Sequence, residues 1–226
     1  MLGAVIFDFD GVITDSEILH FRAFNAVLGK HGFEITKQEY YRDYLGMTDV
    51  DCFKALIGKG RLHVEESQIQ SLVQQKTKVF EQLARTEGRI IEGVREFLQM
   101  LSQNRVPTAI CSGALRAEIE LILEGAKLRG YFDVVVSAEE VKRGKPDPQG
   151  FLLALKKLNQ PRVTPIPPGH CVVIEDSHWG LQAAKAANMR TIAVTNTYEA
   201  DQLKQADKVV TRLSDLTMQD LTQLCS

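Results

Sequence analysis

Short apolar runs alternate with amphipathic stretches along most of this chain. The first run, Ala4-Val5-Ile6-Phe7, leads into Asp8-Phe9-Asp10-Gly11-Val12. An apolar run of this length, closed by a turn residue, predicts a buried strand. Side chains on a strand repeat every two residues, so the reading places Asp8 and Asp10 on one side of it. Further strands are predicted at Thr108–Cys111, Asp133–Val136, Cys171–Ile174, Thr191–Val194 and Lys208–Val210. Between them the spacing predicts helices at Gly93–Gln103, Leu115–Glu124, Pro148–Leu158 and Ser177–Ala187. Asp147 is placed to cap the third of these, with Pro148 at its first helical position.

A different pattern separates the opening strand from the rest. Ile18, Phe21, Phe24 and Leu28 share one helical face, Asp15 or Ser16 can cap it, and His31-Gly32 ends it. Helical periodicity continues over Lys37–Tyr44, Asp49–Ile57 and about Val64–Arg85, and nothing from Ser16 to Glu87 reads as a strand. The expected architecture is therefore α/β. A doubly wound parallel sheet is built from residues 1–15 and 88–226, interrupted by a helical block over 16–87. Ligands of open α/β sheets bind beyond the carboxyl ends of the strands. The acids of the opening strand fall at such an end. The inserted block leaves from that end too, so it can close over a site and exclude water.

Composition changes this picture little but excludes several classes. With 226 residues, 44% hydrophobic and 25% charged, the chain is long enough for a sizeable core. A net charge of −2 argues against nucleic acid or an anionic membrane as partner. The four cysteines, Cys52, Cys111, Cys171 and Cys225, form no C-x-x-C pair. Neither a disulfide framework nor a zinc site is expected, and a reducing compartment is. No signal peptide is legible and no run approaches the ~20 apolar residues of a membrane span. A cytoplasmic protein is the expectation, with a monomer as the default.

The candidate chemistry sits at strand ends. Two carboxylates at the buried end of a strand repel each other and are poorly solvated, so a cation must offset them or one must hold a proton. Mg²⁺ fits, being hard and oxygen-liganded; a strand leaving through a polar turn with solvated acids would read the same. The second strand ends in Ser112-Gly113, where a hydroxyl followed by free N–H groups at a helix start suits a phosphate oxygen. Lys145, followed by Pro146, can supply a point positive charge. The fourth strand ends in Glu175-Asp176-Ser177, acids that can complete a magnesium site. Each feature alone has a plain structural explanation, as a cap, a solvated turn lysine or acids at a helix start.

Taken in order, Asp8-Phe9-Asp10-Gly11-Val12, Ser112, Lys145-Pro146-Asp147-Pro148 and Glu175-Asp176-Ser177 with Gly180 resemble the four motifs of the haloacid dehalogenase-like superfamily. Phe7 to Asp15 and the following His20-Phe21-Arg22-Ala23 resemble its β-phosphoglucomutase-like branch. The resemblance covers essentially the whole chain. It implies a Rossmann-like core with a helical cap. It implies Asp8 as the nucleophile that becomes an aspartyl-phosphate, and Asp10 as the acid that protonates the leaving oxygen and then activates water. Mg²⁺ would be held by the Asp8 carboxylate, the Asp10 carbonyl and Asp176, with Glu175 a further ligand or the group that orients one. Ser112, Gly113 and Lys145 would bind the transferring phosphoryl group.

The substrate implied is a small phosphorylated metabolite, a sugar or polyol phosphate in the first instance. Hydrolysis is expected over mutase chemistry. In the mutase-like cap an arginine follows the segment that here reads Gly46-Met47-Thr48-Asp49, and Asp49 would repel a second phosphate. The stretch that follows Ser112, Gly113-Ala114-Leu115-Arg116, offers one cation, Arg116. His20 and Lys76 fall where the mutase-like cap has a histidine and a lysine tied to the acid–base aspartate, although each also suits a polar helix position. Two remoter readings are a phosphoacceptor signalling domain and a catalytically dead sugar-phosphate binder. The D-x-D spacing and the insertion oppose the first, and the intact Asp8 and Asp10 oppose the second.

Overall fold

The structure, a computed structural model, describes residues 1–45, 47–87 and 89–226. Gly46 and Gly88, read above as part of a cap segment and of a domain joint, lie outside the described residues. The chain divides into two compact units, Met1–Asp15 with Arg89–Ser226, and Ser16–Gly88.

The larger unit is an α/β sandwich built on a parallel sheet. Its strands are β1 (Ala4–Phe7), β2 (Thr108–Cys111), β3 (Val134–Val136), β4 (Cys171–Glu175), β5 (Arg190–Val194) and β6 (Lys208–Val210), in spatial order β3-β2-β1-β4-β5-β6. The chain winds outward in one direction from β1 to β3 and in the other from β4 to β6. The topological reversal therefore lies between β1 and β4, where loops diverge and leave a crevice. Phe7 pairs with Ile174 across that boundary and with Ile110 on the other side. Asp8, Ser112 and Glu175–Asp176 thus emerge on adjacent strands at the same end.

Both sheet faces are covered, which is why the strands read as unbroken apolar runs rather than alternating ones. Ala4 and Ile6 pack in one buried cluster with Val173, Phe151 and Ala183. Phe7 points the other way and meets Phe97 and Phe132 edge-on, at centroid distances of 6.0 and 5.8 Å. Burying a phenylalanine of this kind contributes roughly 2–3 kcal/mol, and here it pins the strand end that carries Asp8.

The smaller unit holds α1 (Glu17–Leu28), α2 (Lys37–Asp43), α3 (Asp49–Gly58) and α4 (Ile69–Glu87). Its core gathers Phe24, Val27, Leu28, Tyr40, Phe53 and Leu56. The Asn25 side chain fixes the turn after α1 by bonding both the N–H and the C=O of Ile35, at 3.0 and 2.8 Å. Gly32 takes φ +83° to end that turn, a conformation glycine adopts without steric penalty. The other helices of the larger unit are α5 (Val94–Gln103), α6 (Arg116–Gly125), α7 (Gln149–Asn159), α8 (His178–Ala186) and α9 (Met218–Leu224).

Several local expectations need correction. β1 stops at Phe7 instead of running on through Asp10, because Gly11 (φ +78°) turns the chain back so that Ile13 N and Thr14 N both bond Phe9 O. Asp8 N still donates to Ile174 O at 2.9 Å. Pro148 is the N-cap of α7 and not its first residue, while the Asp147 carboxylate accepts from Gln149 N at 3.0 Å. Of the two caps proposed for α1, Ser16 is the N-cap, without a side-chain capping bond. The long helix expected from Val64 begins at Ile69, after a 3₁₀ turn at Glu66–Gln68. The C-terminal helix α9 was not foreseen; Thr217 and Asp220 form a capping box at its start.

Candidate active site

The residues singled out on the larger unit converge at the β1/β4 crevice. Asp8 is 8% exposed, Asp176 5% and Glu175 not at all. These three carboxylates each offer an oxygen within 4.8 Å of the others. Lys145 stands between two of them: its Nζ donates to Asp8 Oδ1 and, at 2.5 Å, to Glu175 Oε1. The same ammonium lies 5.2 Å from the ring centroid of the core residue Phe151. Gln149, at the start of α7, accepts from Lys142 N and Arg143 N at 3.0 and 3.1 Å and so holds the loop that delivers Lys145.

Glu175 is fully engaged by the protein. Oε2 accepts from Asp176 N, Ser177 N and Ser177 Oγ at 3.1, 3.1 and 2.8 Å, while Oε1 takes Lys145. Ser177 in turn caps α8, accepting from Gly180 N at 3.1 Å. A Cβ at position 180 would fall on the Glu175 carboxylate, so the bare backbone of Gly180 is what lets the acid lie under the helix start. The partial positive charge of that helix end favours it there. This geometry suits Glu175 to orienting Lys145 better than to offering itself as a free ligand.

Burial dominates the electrostatics. The Asp8 carboxyl is pushed well above the usual carboxylate range, first by burial; Lys145 opposes this, and Glu175, Asp176 and Asp10 add to it. Asp176 is raised to about 7, again by burial first, against the pull of a hydrogen bond from Thr197. Burial works against the charged form of Lys145, but Asp8 and Glu175 outweigh it and its pKa rises. With all three carboxylates ionised, the single ammonium would leave two negative charges uncompensated in a poorly solvated crevice. An all-oxygen, anionic donor set with that deficit fits a hard divalent cation.

Ser112 stands at the end of β2, the strand beside β1. It is buried, its N–H bonds Val136 O at 3.0 Å, and its Oγ accepts from Ala114 N at 2.9 Å. No atom lies within 4 Å of where a Gly113 Cβ would stand, so the backbone there is open to an approaching group. Asp10 is half-buried and bridges to Thr14 through the backbone. Arg116, a candidate substrate contact, has its guanidinium engaged elsewhere, by Glu120, by Glu140 and by Val135 O at 2.6 Å.

Two residues that the sequence reading passed over touch this centre. Asn196 Nδ2 donates to Gly11 O at 2.6 Å, and Thr197 Oγ1 donates to Asp176 Oδ2. Both follow β5 directly, so the strand-end rule that found Ser112 and Glu175 would have found them had it been carried one strand further.

The haloacid dehalogenase-like hydrolase family profile matches residues 5–194. The chain belongs to that family. Among curated members it is 34% identical over 192 residues to the phosphorylated carbohydrates phosphatase of Thermotoga maritima, covering 84% of this chain and 83% of that protein. It is 30% identical over 202 residues to the fructose-1-phosphate phosphatase YqaB of Escherichia coli, covering 84% and 95%. The crystal structure of a β-phosphoglucomutase from Clostridium difficile shares the fold, with a TM-score of 0.78 at 24% identity over 100% of this chain and 97% of that one.

The candidate residues of the smaller unit form a group of their own. Lys76, 1% exposed, donates to His20 Nδ1 at 2.6 Å and pairs with Asp49 Oδ1 at 2.9 Å. His20 stacks on Phe80 with ring centroids 4.1 Å apart. Thr48 caps α3, accepting from Asp51 N at 3.2 Å. Burial, and then the Lys76 charge, lower the His20 pKa to about 3. An imidazole that stays neutral when folded but protonates near 6.5 when unfolded contributes stability above pH 6.5 that is lost as pH falls toward 3. Between pH 6.5 and 5 the wild type is expected to lose about 2 kcal/mol more than His20→Asn, measured by urea unfolding at each pH. Equal losses would mean that His20 titrates normally in the fold.

Proposed function

We propose that this hydrolase is a Mg²⁺-dependent phosphatase acting on a small phosphorylated metabolite, a sugar or polyol phosphate, through an aspartyl-phosphate on Asp8. The observation that carries the reading is the Asp8–Lys145–Glu175 contact beside Asp176 at the β1/β4 crevice. The phosphatases among its relatives support the substrate class.

In this mechanism an Asp8 oxygen forms a bond to phosphorus as the bond from phosphorus to the alcohol oxygen breaks. Asp10 gives that oxygen its proton. Asp10 then takes a proton from water, whose oxygen attacks phosphorus and releases the Asp8 carboxylate with inorganic phosphate. A carboxylate does not readily approach a phosphate dianion, so the phosphoryl oxygens need cationic and N–H partners. Lys145 and the Ser112-Gly113 segment supply them. Lys145 is kept charged by Glu175 and aimed by the Gln149-held loop. Asp8 and Asp176, with the Asp10 carbonyl, would hold the Mg²⁺, which when bound neutralises charge on the phosphoryl oxygens.

We assign substrate choice to residues 16–87 as a cap, and place the enzyme in the cytoplasm as a monomer without nucleic-acid or membrane partners. No described helix is long and apolar enough to cross a membrane, and all four cysteines are buried free thiols. A sugar phosphomutase is the second reading. It is favoured by the His20–Lys76 contact, whose residues match the histidine and lysine of the mutase-like cap. Asp49 weighs against it less than its charge suggests, because that charge is paired with Lys76.

A panel of sugar and polyol phosphates, assayed with and without glucose 1,6-bisphosphate, separates the two readings. Phosphate release that ignores the bisphosphate is expected. Bisphosphate-dependent isomerisation without net phosphate release would make the protein a mutase.

A further inference from the structure

The segment Thr195-Asn196-Thr197, which follows β5, carries no charge and none of the residues assigned a role above, yet one of its side chains reaches the acidic centre and another the turn beside it. Thr197 Oγ1 donates to Asp176 Oδ2. Among the described residues Thr197 alone donates to that carboxylate from a side chain. Asn196 Nδ2 ties the same segment to Gly11 O, in the turn between Asp10 and Thr14, at 2.6 Å.

The segment is held at both ends. Thr195 N bonds Val210 O at 3.1 Å, continuing the β5–β6 pairing. Tyr198 packs on His178, the first residue of α8, with ring centroids 4.6 Å apart, and it joins the cluster of Leu181, Ala193 and Leu203. His178 O is itself fixed by Gln205 Nε2 at 3.1 Å. A hydroxyl on a backbone fixed in this way can hold an acid in one orientation; a hydroxyl on a loose loop would follow the acid as it moved.

Gly11 shapes the other side of Asp176. A Cβ at position 11 would fall on Asp176 Oδ2, so that oxygen sits in a slot between the bare Gly11 backbone and Thr197. Asp176 Oδ1 is left as the oxygen without a protein donor, among the described residues. A carboxylate wedged by one oxygen cannot rotate to offer the other. We propose that Thr197 is a positioning residue of the metal centre, fixing the Asp176 carboxylate so that Oδ1 faces the divalent cation together with Asp8. This rests on the metal reading given under the proposed function.

Groups that orient a ligand without touching the metal typically contribute 10–100-fold in metal affinity. The test uses the whole protein stripped of metal with EDTA and titrated with Mg²⁺ by isothermal titration calorimetry, without substrate. Thr197→Val keeps the shape and removes the donor, and is expected to weaken Mg²⁺ binding by about 10–100-fold. Thr197→Ser restores the hydroxyl and is expected to bind close to wild type. Position 197 is exposed, so both variants should fold; equal circular dichroism spectra and melting temperatures check that. Unchanged Mg²⁺ affinity in Thr197→Val would overturn the positioning role while leaving the metal reading intact. Loss of affinity in Thr197→Ser equal to that in Thr197→Val would overturn it as well, since shape rather than the hydroxyl would then matter. A wild-type protein that binds no Mg²⁺ would overturn the metal reading itself and this assignment with it.

Discussion

Asp8→Asn is expected to lower Mg²⁺-dependent release of nitrophenolate from p-nitrophenyl phosphate by about three orders of magnitude or more. An amide is nearly the same shape but cannot form the acyl phosphate, so the loss should fall on kcat. The fold should survive, because Asp8 N keeps its bond to Ile174 O and Phe7 its contacts with Phe97 and Phe132. In metal-free protein the variant should melt a few degrees higher than wild type. The Asp8 pKa is raised in the folded state, first by burial and then by neighbouring acids, so its charge opposes folding at neutral pH. Added Mg²⁺ should reverse that order by stabilising the wild type more. Residual turnover near the wild-type rate would place the nucleophile elsewhere.

Lys145→Met should produce the second large effect, and on both activity and stability. Lys145 is the cation shared by Asp8 and Glu175. Removing one member of a buried ion pair leaves the others uncompensated, at about 3 kcal/mol, or roughly 10 °C in Tm for a chain of this length. Methionine retains most of the aliphatic stem, which separates the loss of charge from the loss of packing. Phosphate release should fall by about 10²–10³-fold, as for loss of one group that stabilises charge on the transferring oxygens. Lys145→Arg should not rescue it, because a planar fork cannot occupy the point between two carboxylates. A Tm unchanged in Lys145→Met would mean that solvent already screens the pair.

The sheet was legible because both its faces are buried. Thr108–Cys111 and Lys208–Val210 are bounded as the apolar runs suggest, β3, β4 and β5 differ from their runs by one residue at one end, and β1 ends at Phe7, short of Asp10. The helix boundaries shifted as well, because caps and not periodicity set them. Pro148 and Ser177 both stand outside the helices they were read into. The capping box of α9 is written in the sequence at Thr217 and Asp220.

Which chemistry-bearing residues stand at strand ends is written in the order of amino acids, since a run that must be buried has to deliver its polar neighbours at its edges. Asp8, Ser112, Glu175 and Asp176 follow from that alone. What each of them does there depends on long-range packing. Strand order puts the reversal between β1 and β4, so that Asp8 and Asp176 come within reach of one cation. Glu175 is turned inward by Lys145 and Ser177, Arg116 is drawn away by Glu140, and Asp49 is bound to Lys76. The physical reason is range. Burial and strand periodicity are properties of neighbouring residues, whereas the partner of a charge is chosen among groups far apart in the chain, as Lys145 and Asp8 are, and only the folded packing brings them together.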